Sequence, residues 1–191
     1  MRGEMVCMEG DPAREVYLLT SGVVKVMKCV ADGQTVIFGL GLPGDVIGPS
    51  NHSTECGYST TIEALRPTQA LAWRLHDFKS IVERCPAMSQ NILRIQHGNL
   101  LEIEERFCEM ATKTVSQRLA RQLVRLHGKL GRSTDGLTEI SLSREELAQM
   151  TGTTLFSTSR LLAEWETRGF VRSRREAVTI CDPESLNALS E

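Results

Sequence analysis

The chain has 191 residues, 41% hydrophobic and 24% charged, with a formal net charge of −2. That length admits two modest domains with packed cores, and the small net charge excludes a uniformly basic nucleic-acid coat. There is no N-terminal export signal and no run of about 18 apolar residues, so nothing points to export or membrane spanning.

The first 74 residues alternate short apolar runs with glycine turns. Segments 16–19, 23–26, 36–39, 60–64 and 69–73 read as strands, separated by Ser21-Gly22, Asp32-Gly33 and Pro43-Gly44-Asp45. Short strands at this spacing predict a small antiparallel sandwich or roll, able to enclose a small ligand. From Leu75 the apolar period changes from two to 3.6. A short helix is expected over 77–84. Pro86 then suits the first turn of a long helix over 87–110.

That long helix carries two apolar stripes. Leu93, Leu100 and Phe107 recur every seven residues, with Gln96, Ile103 and Met110 three places after each. This is the a/d seam of a coiled coil and predicts a homodimer. Met88, Ile92 and Ile95 lie on another face and are expected to pack on the strands. Gly98 costs the helix about 1 kcal/mol relative to alanine and marks a bend or a close approach of the partner helix. A further amphipathic helix is expected over 111–127, then a loop with three glycines over 128–136.

The stretch SLSREELAQMTGTTLFSTSRLLAEWETRGFV, residues 141–171, reads as two short helices joined by a tight turn. Ser143 and Glu146 have capping-box spacing. Gly152 stops the first helix, and Thr153 or Thr154 can cap the second. Leu161, Leu162 and Trp165 supply its buried face. This is the pattern of a helix-turn-helix, whose second helix enters the DNA major groove. Arg160 suits a bidentate contact with guanine. Ser143, Arg144, Thr154, Leu155, Phe156 and Ser159 complete the expected DNA face on the two helices. Segments 170–172 and 178–181 flank Arg174-Arg175-Glu176 as a two-stranded wing, with Arg174 placed for DNA. Asp182-Pro183 starts a last helix. Residues 1–110 hold 10 Lys+Arg and 14 Asp+Glu, residues 111–191 hold 12 and 10. The end with the helix-turn-helix is therefore net positive, as phosphate attraction favours.

Enzyme signatures are missing. No GxxxxGK[ST], HExxH or GxSxG occurs. Gly39, Gly41 and Gly44 spell GxGxxG, but no helix signal follows, so they read as roll turns. His52, His76, His97 and His127 share no metal-ligand spacing, and no metal site or catalytic residue is expected. Cys7, Cys29, Cys56, Cys85, Cys108 and Cys181 are scattered singly, without CxxC. This fits a reducing cytoplasm rather than a disulfide framework.

Three motifs, EGDPAREVYLLTSGVVKV, GLPGDVIG and SREELAQMTGTTLFSTSRLLAEWETRGFV, resemble the cyclic-AMP receptor/fumarate–nitrate regulator superfamily of bacterial transcription factors. The resemblance spans nearly the whole chain, although the family's usual first helix and strand have no counterpart in this numbering. It implies an α+β protein: an antiparallel, cyclic-nucleotide-binding-like β-roll over 1–85, a dimerisation helix over 86–110, and a winged helix-turn-helix over 111–191. It further implies a dimeric regulator that reads a palindromic site on double-stranded DNA, works with RNA polymerase and senses a small-molecule effector in the roll.

The departures are specific. The family usually places glutamate four residues before its reading arginine; here that place holds Phe156. Leu155 stands where the cyclic-AMP branch has arginine. A phenyl ring cannot accept from cytosine N4 but can touch a thymine methyl, so the usual half-site does not carry over. Effector residues expected from the resemblance are Gly48, Ser50, His52, Ser59, Thr60 and Ile103. Cyclic-nucleotide binders use Gly-Glu followed about ten residues later by Arg-Ser, whose arginine takes the phosphate. Here Pro49 follows Gly48, and the Arg-Ser place reads Tyr58-Ser59 or Ser59-Thr60. Ile103-Glu104 replaces the Thr-Ser pair that meets the purine. Cyclic AMP is therefore not expected as the effector, and the cofactor is left open. Two alternatives stay open: a haem or thiol sensor resting on His52 or on Cys85 and Cys108, and an interaction module that does not bind DNA.

Overall fold

Period-two alternation in the N-terminal third resolves into two small antiparallel sheets. The computed structural model describes residues 1, 3–49, 57–130, 133–134 and 137–190. In the first sheet β1 (Met5–Cys7), β3 (Val24–Cys29), β4 (Thr35–Gly41) and β6 (Thr61–Ala64) run in the order β1-β6-β3-β4. The second holds β2 (Glu15–Ser21), β5 (Val46–Ile47) and β7 (Gln69–Arg74) in the order β5-β2-β7. Side chains on the inward faces meet as one core: Cys7, Ala13, Leu19, Val24, Ile47, Tyr58 and Ile62. Burial pushes the Cys7 thiol up to about 11, so it behaves here as a small apolar side chain.

Helix α1 (Leu75–Arg84) caps the roll, with Leu75 and Phe78 buried against Val16. Helix α2 (Pro86–Thr112) follows. Its stripe of Met88 and Ile92 packs on that same cluster. Gly98 lies in an unbroken helix, and a Cβ there would meet open space. The chain divides into two compact units, Met1–Glu104 and Glu105–Glu191, so the division falls inside α2.

In the second unit the last turns of α2 pack with α3 (Val115–Leu130), α4 (Arg144–Thr151), α5 (Leu155–Thr167) and α6 (Pro183–Ser190). A sheet of β8 (Ser133–Thr134), β9 (Leu137–Ile140), β10 (Val171–Ser173) and β11 (Val178–Ile180) has the order β10-β11-β9-β8. Leu119, Leu123, Leu126, Ile140, Leu147, Leu162, Trp165 and Leu186 fill the core. Asp182 caps α6, accepting from the Ser185 amide at 3.0 Å, and the Ser185 hydrogen bonds hold its carboxyl below the usual range.

Several expectations need correction. The helix expected over 111–127 starts at Val115, because Thr114 and Gln117 form a reciprocal cap: the Gln117 amide donates to Thr114 Oγ1 (3.3 Å) and the Thr114 amide to Gln117 Oε1 (3.0 Å). That helix runs on to Leu130, past Gly128, so the expected loop begins later. Gly39 and Gly41 are not turn residues. Both lie in β4, where a Cβ at Gly41 would stand 2.7 Å from Val24 Cγ2; only Gly44, at φ +99°, makes a turn. The short strands β1, β5 and β8 have no counterpart among the expected ones.

Candidate nucleic-acid interface and roll cavity

The interface is built by two capped helices. Ser143 Oγ accepts from the Glu146 amide (3.1 Å), and Glu146 Oε2 accepts from the Ser143 amide (2.8 Å). This starts α4. Gly152 ends it in the left-handed region at φ +60°, and the Thr153 amide returns to Ala148 O. Thr154 then caps α5 by accepting from the Ser157 amide at 3.1 Å. Burying Thr158, Leu161, Leu162 and Trp165 turns the opposite face outward. That outward face carries Leu155, Phe156 and Arg160, with Ser159 half-buried beside them. Phe156 and Arg160 are one turn apart on one side of the helix. Arg160 has no hydrogen bond or ion pair among the described residues, so its guanidinium is available.

Three expected DNA residues have structural work to do: Thr154, whose hydroxyl caps α5, Ser143 and Arg144. The Ser143 hydroxyl is occupied by the cap. The Arg144 guanidinium donates to Ser173 Oγ through Nε (3.2 Å) and Nη2 (3.1 Å), and Glu166 Oε1 accepts from the Ser173 amide (2.9 Å). Ser173 thus ties α4 and α5 to the wing. At the wing tip the Arg174 amide closes the turn onto Ala177 O (2.8 Å), leaving the side chains of Arg172, Arg174 and Arg175 exposed.

The underside of the helix-turn-helix is gripped by arginines that sequence patterns did not single out. Arg106 donates to Met150 O, and Arg118 donates to Thr151 O (3.1 Å) and Lys113 O (3.0 Å). These bonds satisfy carbonyls at the end of α4 and around the α2–α3 turn. Buried Glu109 accepts from Arg121 (3.2 Å) and Arg125 (2.7 Å), while Arg121 Nε reaches Ser190 O (2.8 Å). Met110 lies against Gly152: a Cβ there would stand 2.6 Å from Met110 Cε. Met110, expected in the dimer seam, therefore also packs on the reading head.

In the first unit a cavity of 510 Å³ opens between the roll and α2, within the range of small-molecule sites. Val16, Val46, Gly48, Pro49, Ile92, Ile95, Gln96, Asn99, Leu100 and Ile103 line it. Of the expected effector residues it gathers Gly48 and Ile103. Ser59 and Thr60 are not among its lining, and Ser50 and His52 lie outside the described residues. Pro49 stands in the glutamate's place, as noted from the sequence; Val16, Val46 and Asn99 were missed. Ile95 was legible through its stripe on α2. Tyr58, in the place of the phosphate-binding arginine, turns into the roll core and donates to Glu15 O (2.9 Å). Burial raises its phenol, so it stays protonated. Apart from the amides of Gln96 and Asn99, the described lining side chains are apolar, and none is charged.

The expected seam residues are exposed: Leu93 by 64%, Phe107 by 75%, and Leu100, Ile103 and Met110 by about half. Leu100, Ile103 and Gln96 also face the cavity. Among the described residues no helix is long and apolar enough to cross a membrane.

Comparison with known proteins agrees with this geometry. Residues 1–85 match the cyclic nucleotide-binding domain, and residues 117–189 the Crp-like helix-turn-helix domain. A "CRP-like cAMP-activated global transcriptional regulator" of Mycobacterium tuberculosis is 25% identical over 187 residues, 97% of this chain and 84% of that protein. The transcriptional activator protein Anr of Pseudomonas aeruginosa is 24% identical over 192 residues, 99% of this chain and 78% of that protein. The structure of FixK2 from Bradyrhizobium japonicum shares the fold, with a TM-score of 0.85 at 23% identity, covering 100% of this chain and 94% of that one. A cyclic nucleotide-binding domain followed by a Crp-like helix-turn-helix domain, in relatives named as transcription regulators that this chain matches over nearly its whole length, leads to one assignment: the chain belongs to the cyclic-AMP receptor/fumarate–nitrate regulator (Crp/Fnr) superfamily and is a DNA-binding transcription regulator.

Proposed function

We propose that the protein is a homodimer that reads two half-sites of a palindromic duplex and is controlled by a small molecule, other than cyclic AMP, held in the roll cavity. Each protomer lays α5 in the major groove. The observation that carries this reading is Arg160, exposed and without a partner among the described residues, on the side of α5 opposite its Leu161–Leu162–Trp165 core. Its fork bonds guanine O6 and N7, a contact worth roughly 1–3 kcal/mol of discrimination. Ser159 and Thr154 flank it, and the wing arginines take phosphates, which carry no sequence information. Ser143 and Arg144 serve the interface by fixing α4 and the wing. The dimer works in the cytoplasm with RNA polymerase.

A binding series over all four bases at each half-site position, at fixed salt, tests it. Arg160→Ala is expected to weaken the specific complex and relax preference at one base pair. Arg174→Ala is expected to weaken every sequence alike and lower the salt slope by about one unit. An equal loss on all sequences for Arg160→Ala would remove it as a base reader.

The cavity argues against a nucleotide effector. A phosphodiester anion brought there meets no charged side chain among the described lining residues, and an unpaired ion out of water costs several kcal/mol, roughly. Calorimetric titration with millimolar cyclic AMP is expected to show no binding heat. Micromolar affinity would refute this.

A further inference from the structure

Phe156 is 78% exposed, more than any other large hydrophobic residue described except the terminal Met1, and Leu155 beside it is 51% exposed. Single exposed apolar residues are ordinary. Two in succession on the outward first turn of a DNA-reading helix are different, because a phenyl ring buries about 150–250 Å² when it finds a partner. Phe156 has none within the described chain: α5 turns its opposite side to the core, and no aromatic or cationic side chain stacks on the ring. Its neighbour one turn on is Arg160. Around it stand polar and cationic groups, Thr154, Ser159 and Arg160, which suit an anionic partner and leave the ring and the adjacent Leu155 as the apolar probes in that setting. The surface is continuous with the DNA interface of the helix-turn-helix, so its occupant is duplex DNA.

In the major groove the apolar feature of a base edge is the thymine C5-methyl. Four helical residues rise about 6 Å, close to two base steps of about 3.4 Å each. We propose that Phe156 reads a pyrimidine C5-methyl about two base steps from the guanine bonded by Arg160, with Leu155 closing the contact against water. The half-site of this regulator then contains a thymine at that spacing, set by apolar contact where no hydrogen bond is offered. The proposal rests on α5 being the reading helix.

The test begins with full-length protein and a duplex selected from random sequence. Each thymine is replaced singly by deoxyuridine, which removes only the methyl group, and affinity is measured by fluorescence anisotropy at fixed salt. One position is expected to lose about three- to tenfold, the scale of a buried methyl group. Phe156→Ala should abolish that sensitivity, whereas Arg160→Ala should keep it. Phe156→Glu should move the preference there from thymine to cytosine, whose N4 a carboxylate accepts. Because Phe156 is exposed, each variant should melt as the parent does. Tight, salt-dependent binding with no uracil-sensitive position, or with sensitivity that survives Phe156→Ala, overturns the methyl contact and leaves the regulator reading intact. Failure to bind any duplex overturns both.

Discussion

Replacing Leu93 and Phe107 together by glutamate is expected to convert the protein to monomers at micromolar concentration, read by sedimentation velocity. Both side chains are largely exposed in the single chain, 64% and 75%, and glutamate is a good helix former, so the fold should survive. The loss falls on the seam, where four like charges would face each other across a two-fold axis. Leu100 and Ile103 are poorer choices because they also line the roll cavity. Affinity for a duplex with two half-sites should fall by about 100-fold or more as bivalency is lost, while affinity for one half-site stays. An unchanged sedimentation coefficient would show that another surface makes the dimer.

Glu109→Ala is expected to destabilise the DNA-binding unit by about 2–4 kcal/mol. The Glu109 side chain is only 6% exposed and neutralises Arg121 and Arg125 at 3.2 and 2.7 Å. Without it two guanidinium groups stay in a half-buried cleft, with Glu105 at 3.7 Å from Arg125 as a weak substitute. The midpoint of Trp165 fluorescence, followed in a Trp73→Phe background, should drop by roughly 10 °C or more. Glu109→Gln keeps the volume and some acceptor capacity and should lose less. A midpoint that does not move would mean that solvent replaces the carboxylate without cost.

Features governed by local chemistry are legible in the amino-acid sequence. The Ser143–Glu146 box, the left-handed Gly152 and the Thr154 cap are each written within four residues, so spacing alone reveals them. The wing is legible through the turn at Arg174-Arg175. Helix α2 is legible through its apolar period; its Met88–Ile92 stripe meets Val16 on a strand as expected, and also Phe78 of α1, which was not expected. What escapes depends on distant partners. Strand β1 has three residues and β5 two, too short for alternation to register. The break between α2 and α3 is expected at 110–111 but falls at 113–114, because Phe107, Met110 and Val115 continue an apolar rhythm across it; Thr114-x-x-Gln117 is the signal that places it. The cavity joins residues 16, 46–49 and 92–103, and no local pattern brings those together. Tyr58 turns into the core, and neither Ser59 nor Thr60 reaches the cavity lining.

The grip of Arg106 and Met110 on α4 has a practical meaning for hybrid regulators. The apolar seam ends at Met110, which makes Ala111 the inviting splice point for joining this reading head to another protein's sensor. A splice there would discard Arg106, Glu109 and Met110, and with them a donor to the Met150 carbonyl, the counter-ion of Arg121 and Arg125, and the side chain that covers Gly152. The portable module begins at Glu105, so the transplanted head must carry the last two turns of the helix that precedes it.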